Sequence, residues 1–173
     1  VNRWSATQAY LSRGFVYPFI HSVGEAFPTA PAGYSADYAK ELLAPYADAD
    51  IPEEQKVNIV TLMLEAFSDM SVWDIPGLSE EVYAPYHSLE AESVHGKLMD
   101  NIFAGGTTNT ERCFLTGSGI LDNYRKNVNS YVWYLRSQGY STGGSHPCYN
   151  WFYNRRNVNS YLGFQDYYFL EDH

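Results

Sequence analysis

A threonine directly after two glycines is a candidate for nucleophilic chemistry. In "FAGGTTNTERCF" (103–114), Gly105 and Gly106 run into Thr107 and Thr108. A hydroxyl is a weak nucleophile unless a base, a metal or a positive field stabilises its alkoxide. The stretch stands at a predicted helix start, where N–H groups and about half a positive charge collect. The same letters also suit a tight turn with Thr107 as an N-cap, so the residues alone leave both readings open. Thr108 is the fallback nucleophile if the register of the turn is shifted. Glu65 is a second candidate, at the end of the apolar run "VNIVTLML" (57–64). A carboxylate at the C-terminal tip of a buried strand stands where open α/β sheets bind ligands. It would also suit a divalent metal, which lowers the pKa of a bound water from about 15.7 to about 7; a solvated turn residue fits as well. The third candidate is "SHPCYNWFYNRR" (145–156). His146 lies at a predicted strand end, and Arg155 follows Trp151, Phe152 and Tyr153. A guanidinium fork among rings suits a phosphate carrying an organic head group. An aromatic loop on the sheet, with Arg155 paired to a surface carboxylate, fits the same letters.

Several elements would have to position these residues. Residues 1–25 read as helical, with Trp4, Leu11 and Phe15 at helical spacing. "PTAPAGYS" (28–35) reads as a linker, with Ser35 capping the short helix of "ADYAKELLAPYA". The β-branched, nearly continuous apolar run at 57–64 predicts a central strand buried on both faces. "PYHSLEAES" (85–93) predicts a short helix with Pro near its start, and "HGKLMDNIF" (95–103) a strand. "CFLTGSG" predicts a helix end at Gly117 or Gly119. "NVNSYVWYLRSQGY" (127–140) predicts a helix capped by Asn127 or Asn129 and stopped by Gly139. Val132, Leu135 and Tyr131 would form its inner face. "YSTGGSH" predicts a strand ending at His146, "NVNSYLGF" (157–164) a helix and "DYYFL" (166–170) a last strand. "NVNSY" occurs twice, at 127 and 157, but the flanks differ, so it reads as two similar helix starts rather than a repeat. Strands alternating with helices predict an α/β fold with a mostly parallel sheet flanked by helices.

Composition narrows the function. A chain of 173 residues with 45% hydrophobic content has enough apolar material for a core. A net charge of −9 argues against a general nucleic-acid binder, which needs a basic face. No run of about 18 apolar residues is present to span a bilayer. HExxH, zinc Cys/His clusters, EF-hand loops, P-loops and GxSxG elbows are all absent from the sequence. Cys113 and Cys148 lack CxxC spacing and say little about compartment.

The ordered set "VNIVTLMLEAFSD", "FAGGTTNTE", "FLTG", "YLRSQGYSTGGSHP" and "WFYNRRNVNSYLGFQDYYF" resembles the lipoteichoic acid synthase and phosphoglycerol transferase group of the alkaline phosphatase and sulfatase superfamily. The similarity covers about residues 55–170. It implies an extracellular linker over 1–54 and the N-terminal half of a sulfatase-like catalytic domain over 55–173. It further implies transfer of glycerol phosphate from phosphatidylglycerol at the extracellular face of a bacterial cytoplasmic membrane, anchored by segments outside this chain, with Mn2+ or Mg2+ as cofactor. By motif position Thr107 is the nucleophile, and Glu65 and Thr107 meet the metal. His146, Tyr153 and Arg155 would hold the substrate, Tyr153 standing where the group often has Trp. The group completes its metal site with an Asp-His pair much farther along. Asp172 and His173 copy that pair in letters only and are assigned no ligand role. A half-domain would hold metal weakly and expose a sheet edge, which invites a homodimer. The contrasting expectation is a non-catalytic module that binds phosphate or glycan. A sulfatase proper is discounted, because Thr107 cannot become formylglycine.

Overall fold

The computed structural model describes residues 6–27, 30–64, 67–97, 106–119 and 124–172. The chain divides into two units, Val1–Val57 with Arg112–His173, and Asn58–Glu111.

In the first unit, helices α1 (Ala6–Arg13) and α2 (Val16–Ala26) meet through aromatic contacts. The Tyr10 and Phe15 rings lie 5.8 Å apart, and Phe15 stacks on Phe19 at 5.1 Å. Helix α3 (Ala36–Leu43) begins where its cap dictates, with the Ser35 hydroxyl accepting from the Tyr38 N–H. The core lies farther along. Tyr124, Val158 and Leu162 are buried together, with Leu115, Val128, Tyr161 and Phe164 packed against them.

Helix α6 (Tyr131–Ser137) is capped by Ser130, whose hydroxyl accepts from the Trp133 N–H. The expected cap at Asn127 or Asn129 is therefore corrected. Ser130 wins because its hydroxyl also donates to the Leu162 carbonyl at 2.5 Å, a buried bond that anchors the helix start. The Trp133 indole donates to the Tyr161 carbonyl at 2.8 Å. Close approach here requires Gly163, which has φ +105°; a Cβ on it would lie 2.9 Å from the Trp133 ring. Val132 is buried as expected, whereas Tyr131 is exposed. Residues 49–51 dock on α6, with the Tyr134 hydroxyl donating to the Ala49 carbonyl and Gln138 accepting from the Ile51 N–H.

Strands β1 (Gly143–Ser145) and β2 (Asp166–Tyr168) pair in parallel, Gly144 opposite Tyr167. Helix α7 (Arg155–Tyr161) lies in the connection between them. The fold is thus a helix-rich α/β arrangement with a small parallel sheet. Cys113 and Cys148 form no disulfide.

The second unit is built differently. Helix α4 (Ala84–Glu92) has Pro85 in its first turn. The ring of Phe67 packs on Tyr86 at 5.0 Å, and the Tyr83 hydroxyl donates to the Ser68 carbonyl. The strand expected over 57–64 does not form. Those residues form no regular element and no ladder, and Val57, Ile59, Val60, Leu62, Met63 and Leu64 are all exposed. β-branched content favours a strand only where neighbouring strands and a covering layer exist, and no described strand lies alongside. The strand expected over 95–103 lies mostly outside the described residues, and residues 95–97 are not strand.

Helix α5 (Thr107–Thr116) begins in the second unit and ends in the first. It stops at Gly117, which has φ +64°.

Candidate functional site

The loop from β1 to α7 carries three of the sequence-predicted residues. His146 directly follows β1 and extends its ladder, its N–H donating to the Tyr168 carbonyl at 2.9 Å. Its own carbonyl accepts from the Cys148 N–H at 2.8 Å, so the chain turns tightly around Pro147. Tyr149 and Trp151 stack, and Phe152 meets Trp151 edge-on and Tyr153 at 4.5 Å.

Two consecutive residues, Tyr153 and Asn154, both have φ +55°. The left-handed region is costly for residues with a Cβ, least so for Asn, and for a Tyr it needs support from its surroundings. That support is visible. Arg112 on α5 donates to the Tyr153 carbonyl at 2.7 Å while its guanidinium lies 4.9 Å from the centre of the buried Tyr124 ring. The Asn157 amide donates to the Asn154 side chain at 2.7 Å. The double left-handed turn delivers Arg155 as the first residue of α7, only 3% exposed. Burying a guanidinium is expensive unless it meets compensating groups, so this arrangement is built rather than incidental. Sequence reasoning singled out Tyr153 and Arg155 but missed Arg112 and Tyr124. The letters "YNR" signal the left-handed turn itself, since Asn is the commonest residue besides Gly in that conformation, but not its support from Arg112.

Thr107 is the first residue of α5 rather than its cap. Gly106 takes the cap place, its carbonyl accepting from the Asn109 and Thr110 N–H groups. The Thr107 hydroxyl therefore sits within the first turn, where the helix field is most positive. Thr108 is 3% exposed and its Oγ1 has no hydrogen-bond partner. Glu65 lies outside the described residues, as does His173. The Asp172 carboxylate accepts from the Phe169 N–H at 2.8 Å, a local structural bond. Thr107 belongs to the second unit, and His146, Tyr153 and Arg155 to the first.

Asp69, Ser71 and His87 share the letters of a hydrolase triad but not its geometry. His87 Nε2 donates to the Asp69 carboxylate at 2.9 Å and lies 3.4 Å from the Ser71 hydroxyl. A triad needs the acid and the nucleophile on opposite ring nitrogens, and here one nitrogen meets both. The cluster is a clasp between the turn at 69–72 and α4. Hydrogen bonds from Ser71 and then from His87 hold the Asp69 carboxyl below its ordinary 3.8. The Glu90 carboxylate, accepting from the Tyr86 hydroxyl at 3.0 Å, pushes that phenol up.

Among the described residues no group of three or more His, Cys, Asp or Glu side chains is placed to hold a metal ion. Glu65, the carboxylate assigned to the metal, lies outside those residues. Also among the described residues, no helix is long and apolar enough to cross a membrane.

The sulfatase family matches residues 57–172, which include Thr107, the left-handed turn and both strands. This chain belongs to the sulfatase family. It is 28% identical over 171 residues to a protein of Rhizobium meliloti (strain 1021) named as a cyclic beta-1,2-glucan modification protein, covering 93% of this chain. The chain spans about a quarter (26%) of that relative's length. No solved structure matches it.

Proposed function

We propose that this sulfatase-family chain serves the transfer of glycerol phosphate from phosphatidylglycerol to a sugar hydroxyl, at the extracellular face of a bacterial cytoplasmic membrane. The observation that carries the reading is the buried Arg155, delivered by the paired left-handed residues Tyr153 and Asn154. A guanidinium that follows an aromatic-rich loop favours a ligand that is anionic at one end and organic at the other. The glucan-modifying relative supports a carbohydrate acceptor.

In the proposed reaction Thr107 Oγ attacks the phosphorus of phosphatidylglycerol. The phosphorus–oxygen bond to diacylglycerol breaks, diacylglycerol leaves as an alcohol with the proton that Thr107 gives up, and glycerophosphate remains esterified to Thr107. An acceptor hydroxyl then attacks the same phosphorus, the bond to Thr107 breaks, and the acceptor's proton returns to the threonine. The α5 N-terminus favours the developing alkoxide. Arg155 neutralises phosphate charge, and His146 and Tyr153 surround the glycerol. Sulfatase-family membership supports metal dependence in general, and Mn2+ or Mg2+ is the ion proposed here.

The test is the intact mass of the protein after incubation with phosphatidylglycerol and Mn2+, with peptide mapping. A gain of one glycerophosphate unit on Thr107, absent from Thr107→Ala, is expected. No gain in the wild type, or a gain retained by Thr107→Ala, overturns the reading.

A further inference from the structure

A cleft of about 540 Å³ opens beside β2, lined by Arg156, Ser160, Gln165, Asp166 and Asp172 together with ring surface from Tyr167 and Tyr168. That volume falls in the range of about 300–1,000 Å³ usual for small-molecule sites. None of these polar residues belongs to the Thr107 and Arg155 chemistry described above. The polar wall mixes donors with acceptors. Arg156 only donates, Asp166 and Asp172 only accept when ionised, and Gln165 and Ser160 do both. Two carboxylates against one guanidinium disfavour a phosphate. The chemistry that matches a mixed wall with rings is a neutral polyol, whose hydroxyls both donate and accept and whose C–H faces lie on aromatic surface.

An aromatic pair stands on the loop that adjoins the wall of this cleft. Tyr149 and Trp151 are 47% and 56% exposed, with ring centres 5.9 Å apart and planes only 14° from parallel. Stacked and open to solvent, the two rings can offer a continuous apolar face to a ligand. Asn150 between them ties the pair to the cleft wall. Its carbonyl accepts from the Arg156 N–H at 3.1 Å, and its N–H donates to the Glu171 carboxylate at 3.1 Å, beside Asp172. The rings therefore stand on a loop pinned to both ends of the polar lining.

We propose that the cleft beside β2, with the Tyr149–Trp151 pair at its margin, binds the glucose units of a glucan acceptor. This deepens the transferase reading and rests on it for the acceptor role. The rings take the apolar sugar face, while Gln165, Asp166 and Arg156 take the hydroxyls.

The experiment is titration of the protein with β-1,2-linked glucan, read by tryptophan fluorescence and by calorimetry, with glycerol phosphate as competitor. Saturable binding in the millimolar range or tighter is expected, not displaced by glycerol phosphate. Trp151→Ala and Gln165→Ala are each expected to weaken it at least tenfold, with circular dichroism verifying that both remain folded. Trp73→Ala, which removes an exposed ring of the second unit, is expected to bind like the wild type. Absence of glucan binding in the wild type overturns the inference even if Thr107 is loaded from phosphatidylglycerol. So does binding that survives both cleft substitutions or is lost equally in Trp73→Ala. If Thr107 is never loaded but glucan binding still depends on Trp151 and Gln165, the transferase reading fails and the glycan cleft stands.

Discussion

Residues 124–172 carry fewer branched and aromatic side chains per length than residues 57–64, yet the first region is the one that builds a core. In the first, Leu162 is fully buried, and Ser130, Trp133 and Thr142 all hydrogen-bond to the carbonyls at the end of α7. In the second, Val60 is 83% exposed. The difference lies in partners rather than in hydrophobicity. The first region carries its own: a helix to pack, a strand to pair and a glycine that lets them approach. The second offers one apolar run and nothing described to cover it. Burial belongs to assemblies of elements, and an apolar sequence does not secure it alone.

Substitutions sharpen that comparison. Leu162→Ala is expected to cost about 2–5 kcal/mol, the range for a buried leucine that leaves a cavity, seen as a lower midpoint in urea. Gly163→Ala should cost about 1–3 kcal/mol, because a methyl must coexist with Trp133 at a positive φ. Replacement of Tyr153 by Gly should relieve backbone strain, so stability should hold within about 1 kcal/mol while loading of Thr107 falls as the ring is lost. A loss of loading without a loss of melting temperature is the outcome that separates site from scaffold. Asp69→Asn tests the second unit. Because the folded Asp69 pKa is depressed, its contribution is present above the ordinary value of 3.8 and fades as pH falls through the lower folded value. The wild type should therefore lose protection of the α4 amides in acid, and the variant should show the weaker protection already at neutral pH. The smallest effect is expected from Val60→Ser, within about 0.5 kcal/mol; a large loss there would mean that 57–64 is covered in solution.

Several elements of both units were legible because their signals are local. Ser35 caps α3, Pro85 opens α4, Gly117 and Gly139 end their helices, and "YSTGGSH" and "DYYFL" hold the two paired strands. The cap of α6 was misplaced because Asn127, Asn129 and Ser130 have similar intrinsic preference. Only the distant Leu162 carbonyl decides among them. The run at 57–64 failed for a related reason: a strand exists through its neighbours. At the site, residue types pointed to Tyr153 and Arg155, but the conformation that presents them depends on Arg112, forty-one positions away. No local pattern encodes that bond.

The parallel pairing of β1 with β2 has a consequence for how the site comes into being. Every first-unit candidate, from His146 to Arg155, lies within the segment that joins those two strands. The ends of that segment are held by a ladder of three residue pairs, extended by the His146 N–H to the Tyr168 carbonyl. Closing a parallel pair means ordering the whole intervening loop at once. Zipping the strands and assembling the pocket are therefore a single cooperative event, and fraying of β2 would disperse the site without unfolding the helices. Slow exchange of the His146 amide would thus serve as a clock for how long the pocket exists between openings.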